Sequence, residues 1–186
     1  KAVSNFAAVP SLPSGALAQE VTKDPYNFDF IAIREDYDEK EMKDALVSNI
    51  QRFLLELGSG FAFISRETRM LVGETELFDD LLFYHTKLHA YVAIEVKTRK
   101  FDPRDLGQLS AYVAAVNHQY RGEGDAPTIG LLICKGKDDV LAQYCLENYQ
   151  VPLGVSEYEI TNLLPSELKS SLPTIEEIES EVKGDD

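Results

Sequence analysis

Cysteine, long uncharged runs and positive charge are all scarce in this sequence, and each scarcity excludes something. The 186 residues include two cysteines, Cys134 and Cys145. Each falls in an apolar, regular-looking segment, so the reading is two buried free thiols rather than a disulfide or a thiolate metal pair. That usage fits a reducing cytoplasm, the expected location. No window approaches the ~18 uncharged apolar residues of a membrane-spanning helix. No basic segment followed by an apolar run opens the sequence, so no secretory signal is read. Lys and Arg number 18 against 32 Asp and Glu, a formal charge of −14. A domain that grips nucleic acid over its whole surface should be basic. Any such contact here must therefore be local or be helped by another domain.

What is present is enough for one folded domain with a full core. Residues 1–25 are rich in Ala, Ser and Pro and read as an arm or linker. The folded domain is expected over 26–165, and 166–186 as an acidic C-terminal helix or tail, "TIEEIESEVKGDD" at its end. From Asp38 the pattern is helical, with Met42, Leu46, Ile50, Phe53, Leu54 and Leu57 on one face, Asp38 as cap and Gly58 as the terminating glycine. "GFAFISRE" alternates as a strand should, and "RMLVG" is expected to form a second strand. "PRDLGQLSAYVAAVNHQY" returns to helical spacing, with Pro103 near its first turn. "TIGLLIC" is a continuous apolar run, as in a strand covered on both faces. A short helix at "DDVLAQYCLENY" and a strand at "LGVSEYEI" follow. The fold class expected is α/β: a mixed sheet, first a meander and then a crossover, flanked by helices.

The informative stretch is "DDLLFYHTKLHAYVAIEVKTRK", Asp79 to Lys100. It reads as a hairpin turning around Lys87-Leu88. A symmetric hairpin opposes residues whose numbers add to 175, which sets Asp80 against Glu95. Lys97, two residues beyond Glu95, projects from the same face. Two carboxylates so close repel, and one pKa rises unless a cation sits between them. A hard divalent ion satisfies them with one or two carboxylates, a carbonyl and waters, and the Val96 carbonyl is a candidate ligand. Lys97 would stand beside a bound water, an arrangement suited to phosphodiester hydrolysis. The alternative is a cross-strand salt bridge of Lys97 with Glu95 or Asp80 on a solvated sheet edge. His85 ends the "FYH" strand, either as a hydrogen-bonding turn residue or as a DNA contact.

"KDPYNFDF", "FLLELGSGFAFISRE", "DLLFYHTKLHAYVAIEVKT", "LGQLSAYV", "IGLLICKGKDD" and "PLGVSEYEI" occur in that order over roughly residues 23–160. Together they resemble the PD-(D/E)XK nuclease superfamily, and more closely its bacterial YhcG-like family. The resemblance implies a restriction-endonuclease-like αβββαβ core and a nuclease acting on DNA with Mg²⁺ or Mn²⁺. It implies that Asp80, Glu95 and Lys97 are the motif residues, with Asp79 turned to the other face. By the same match Gln108 is expected to bind a phosphate or order a water, with Tyr112 one turn later on the same face. Glu56 aligns with a first-helix acid that approaches the metal, the alternative being a solvated glutamate at the helix end. A second first-helix acid is expected one turn before "ALVSNI", where this chain has Lys43 beside Asp44. The N-terminal residues resemble a junction with an upstream helical domain of the same protein, which could supply basic surface. Pairing into a homodimer would suit double-strand cutting, and no membrane partner is expected. The alternative function is a catalytically weak or inactive nuclease fold kept for nucleic-acid or protein binding.

Overall fold

Alternating apolar positions in the sequence become a mixed sheet with helices on both faces. The computed structural model describes residues 2–12 and 15–165. In chain order these form β1 (Val3–Ser4), α1 (Gly15–Val21), β2 (Tyr26–Asn27), β3 (Ile33–Arg34), α2 (Glu39–Ser48) and α3 (Ile50–Leu57). The chain continues as β4 (Phe61–Val72), β5 (Thr75–His85), β6 (Ala90–Lys100), α4 (Pro103–Gln119), β7 (Ile129–Gly136), α5 (Asp139–Leu146), β8 (Leu153–Glu159) and β9 (Leu163–Leu164). The main sheet has the order β1-β8-β7-β6-β5-β4, with β2 also on β8. β4, β5 and β6 are an antiparallel meander, whereas β6, β7 and β8 run parallel through the crossovers α4 and α5. β3 and β9 pair separately.

Two apolar layers hold the sheet. On one face Met42, Leu46 and Phe53 of α2 and α3 pack with Leu81, Phe83, Ile94 and Val96. On the other, Leu106, Leu109 and Val113 of α4 pack with Ala93, Leu132 and Val155. β7 is covered by both, and Ile129 to Cys134 are all buried. Both cysteines are free. No helix among the described residues is long and apolar enough to cross a membrane.

The helices start where their caps are. The Asp38 side chain accepts from Glu41 N at 2.7 Å and Glu41 reaches back, a capping box. Asp102 and Asp105 make the same arrangement around Pro103. The single long helix expected after Asp38 is two. Asn49 leaves helical geometry at φ −112°, ψ 36°, and its side chain donates to Ala45 O at 2.9 Å, closing α2 before α3 begins. "GFAFISRE" and "RMLVG" are not two strands but one, β4, with an irregularity between Phe63 and Ser65. The residues read as an arm also differ. Val3 and Ser4 extend the sheet beside β8, and Phe6 is fully buried. Asn5 ties this segment down, accepting from Leu153 N at 2.8 Å and donating to Val151 O at 2.9 Å. The acidic tail at 166–186 lies outside the described residues.

Candidate active site

The β5–β6 ladder runs from His85↔Ala90 to Leu81↔Ile94, pairs whose numbers add to 175. It stops one step before Asp80 and Glu95. From there β5 continues on β4 alone, while β6 continues on β7 as far as Lys100. The strands fork, and the charged residues of the motif line the fork. Val96 N donates to Asp80 Oδ2 at 3.3 Å across the gap. A residue's N–H and C=O leave an extended strand on the same edge, so the Val96 carbonyl faces the fork as well. Lys97 Nζ lies 3.6 Å from Glu95 Oε2. That is an ion pair, too long for a hydrogen bond, and Oε2 has no donor.

α2 closes one side of the fork with charges of its own. Glu39 Oε1 is 3.8 Å from Lys97 Nζ. Lys43, one turn later, places Nζ 3.0 Å from Asp80 Oδ1 and 3.8 Å from Glu67 Oε1. The site is recessed: the side chains of Lys43 and Asp80 are each 15% exposed, that of Lys97 13% and that of Glu95 2%. Burial, and then the charge of Asp80, push Glu95 up to about 8 despite Lys97. Burial resists the charged form of Lys43, but the hydrogen bond and charge of Asp80 prevail and raise it.

The residue before Asp80 is a buried carboxylate to which the sequence assigned no role. Asp79 is fully buried, with no partner for either oxygen. Burial, followed by the charges of Glu95 and Asp80, holds it well above the usual carboxylate range. α4 approaches from the other side. Tyr112 is buried there, pushed up to about 12 by burial and then by Glu95, Asp80 and Asp79. Exposed Gln108 stands beside its hydroxyl.

Glu56 is elsewhere. It accepts from Asn27 N at 2.9 Å and pairs with Lys23 at 3.4 Å. His85 lies at the closed end of the hairpin, fully buried, its Nδ1 accepting from Leu88 N at 3.2 Å. Its ring meets Phe61 edge-on, and Gly60 takes φ +102° beneath it, where a Cβ would come within 2.7 Å of the ring. Burial lowers its pKa. The acid that α2 turns toward the motif is Glu39, one turn before the position expected. Helical spacing from Lys43 would have found it, had the helix phase against the sheet been known.

The YhcG PDDEXK nuclease domain family matches residues 19–173 of this chain. The chain belongs to this family. Within it, the chain is 31% identical over 151 residues to an Escherichia coli (strain K12) protein named "Putative nuclease YhcG". The match covers 81% of this chain but only 40% of the length of that relative. Among solved structures, a repair endonuclease from Pyrococcus abyssi is similar at 24% identity and TM-score 0.46, over 70% of this chain and 50% of that one. EndoMS in apo form is similar at 23% identity and TM-score 0.43, over 71% and 49%.

PD-(D/E)XK nucleases generally use divalent metal ions, and the residues of this YhcG-family domain fit one. The donors at the fork are hard oxygens: Asp80, Glu95 and the Val96 carbonyl, the set a Mg²⁺ or Mn²⁺ ion takes with waters. Glu95 Oε2 is buried without a donor, and burial first, then the neighbouring acids, raise Glu95 and Asp79. Among the described residues no three His, Cys, Asp or Glu side chains form a ready-made metal cluster. The ion would rely on two carboxylates, backbone and water.

Proposed function

We propose that this domain hydrolyses DNA phosphodiester bonds with a divalent metal ion, Mg²⁺ or Mn²⁺. The observation that carries the reading is the fork: Asp80, Glu95 and Lys97 converge where the β5–β6 ladder opens, in a chain of a nuclease family. Asp80, Glu95 and the Val96 carbonyl would hold the ion. Once bound, it supplies a Lewis acid to the scissile phosphate and steadies the charge that develops there.

The chain's own groups do the rest. Lys97 orients the attacking water by donating to its oxygen, and its charge favours loss of the water's proton. Glu39 at 3.8 Å and Glu95 at 3.6 Å hold the lysine in place between them. Gln108, exposed at the rim of the fork, donates to a phosphate oxygen or to the water. Tyr112 fixes Gln108 from behind and fills the apolar floor with Met70 and Leu82.

Supercoiled plasmid nicking in Mg²⁺ tests the reading. Wild type should nick, and Lys97→Ala should lose at least ~100-fold in rate. Equal rates in the two proteins would remove the role given to Lys97.

A second reading, a nuclease fold kept for binding, draws on the −14 charge and on the lysine already seated on Asp80. Calorimetric titration with Mn²⁺ separates the two. Binding only above the millimolar range would favour the binding module.

A further inference from the structure

Both oxygens of Asp80 are engaged. Val96 N–H donates to Oδ2 at 3.3 Å and Lys43 Nζ to Oδ1 at 3.0 Å. The backbone donor belongs to the sheet and cannot leave without breaking it. The ammonium can, because it stands on four flexible methylenes. It also has somewhere to go. Glu67 stands opposite Asp80 across the β4–β5 ladder, between the pairs Arg66↔Leu81 and Thr68↔Asp79. Its Oε1 is already 3.8 Å from Lys43 Nζ, and its side chain is 54% exposed against 15% for Asp80. Lys43 therefore sits between two acceptors, a recessed one in the fork and an open one at its rim. Arg66, at 3.7 Å from Glu67, is also held by Asp44 at 2.6 Å, so it does not monopolise the outer acceptor.

We propose that Lys43 is a tethered counter-cation that competes with the divalent ion for Asp80, and sets how much metal the site needs. The inference rests on the metal reading above. With the ion absent, the ammonium neutralises a recessed carboxylate that would otherwise repel Glu95. When the ion binds, Lys43 releases Oδ1 and transfers to Glu67, which lies within reach of the same helix turn. The pair thus raises the metal threshold of the site without altering its ligands.

The test is Mn²⁺ calorimetry on the 186-residue chain at fixed ionic strength, comparing wild type, Lys43→Met, Lys43→Arg and Asp80→Asn. Lys43→Met should bind about tenfold or more tightly than wild type, Lys43→Arg close to wild type, and Asp80→Asn should lose binding. Equal affinity in wild type, Lys43→Met and Lys43→Arg, with binding lost in Asp80→Asn, overturns the competition and leaves the metal site standing. Absence of binding in all four into the millimolar range overturns both. Amine acylation of the wild-type protein, read residue by residue by mass spectrometry, is independent of how the variants fold. Saturating Mn²⁺ should make Lys43 several-fold more reactive. Unchanged labelling of Lys43 at saturation overturns its release.

Discussion

The two ends of one hairpin solve the same problem in opposite ways. At the closed end, Leu81 to His85 pair fully with Ala90 to Ile94, and the His85 ring is wedged between Phe61 and a glycine and capped by Leu88 N–H. At the open end, Asp79 and Glu95 are buried with three of their oxygens lacking any donor, and Asp80 is recessed at 15% exposure. Unpaired buried carboxylates are costly, and folded proteins keep them where they serve a site. The closed end contributes stability. The open end gives some back in exchange for a place that attracts a cation.

Substitutions at the two ends should therefore separate activity from stability. Glu95→Gln at the open end should lower Mg²⁺-dependent nicking by ~10²–10⁴-fold, the range for one group that stabilises a charged transition state. Its metal-free stability should not fall. Phe83→Ala at the closed end should do the reverse. Phe83 is fully buried and meets Phe53, Phe61 and Phe63 with centroids 5.5–6.3 Å away. Its loss should cost about 3–5 kcal/mol in urea unfolding, while the surviving folded fraction still binds metal. If Phe83→Ala removed metal binding without loss of stability, the division between the ends would fail.

The comparison was legible in the sequence as far as its cause was local. A strand has a period of two, so counting from Lys87-Leu88 gives the register from His85↔Ala90 to Leu81↔Ile94, but not that the ladder opens before the direct Asp80–Glu95 pairing the same count implies. Continuous apolar runs marked β7, and Asp38, Pro103 and Gly58 marked helix ends. What remained hidden depends on how elements meet. The phase of α2 against the sheet puts Glu39 and Lys43 over the fork, and no spacing within α2 sets that phase. Asp79 is expected to face away from Asp80, and the two differ in partners: Asp80 meets Lys43 of α2 and Val96 N–H, Asp79 neither. Phe6 lies in a stretch whose Ala, Ser and Pro content reads as a linker. It is buried because β8 offers an edge to pair with, a fact about another part of the chain.

The open end should also announce itself through pH. Glu95 is raised from an ordinary glutamate to about 8, so the unfolded chain releases its proton at lower pH than the folded one. A raised acid stabilises the fold below its unfolded pKa, and that contribution fades as pH climbs through the folded value. Asp79 is shifted in the same direction. The metal-free domain should accordingly lose on the order of 1–4 kcal/mol between pH 5 and pH 8, measured by urea unfolding at each pH. Mn²⁺ should recover much of that loss at the upper end, since a cation compensates the ionised pair. Glu95→Gln should flatten the metal-free slope. A slope unchanged by that substitution would mean that Glu95 is not the strained group.

The smallest effect is expected at Glu56, and its smallness is informative. By family resemblance this residue aligned with a first-helix acid near the metal, yet it stands with Lys23 and Asn27, away from the fork. Its partner Lys23 is 45% exposed, and an ion pair so open to water contributes little, about 0.5 kcal/mol or less. Glu56→Gln keeps an oxygen to accept from Asn27 N, so even the backbone contact survives. Nicking rate and Mn²⁺ affinity should stay within about twofold of wild type, and thermal stability should barely move. The chemistry then depends on the acids at the fork and on Glu39 beside them, with no contribution from the far end of α3. A tenfold fall in Mn²⁺ affinity on Glu56→Gln would show that α3 moves onto the fork when metal binds and that the site extends to Glu56.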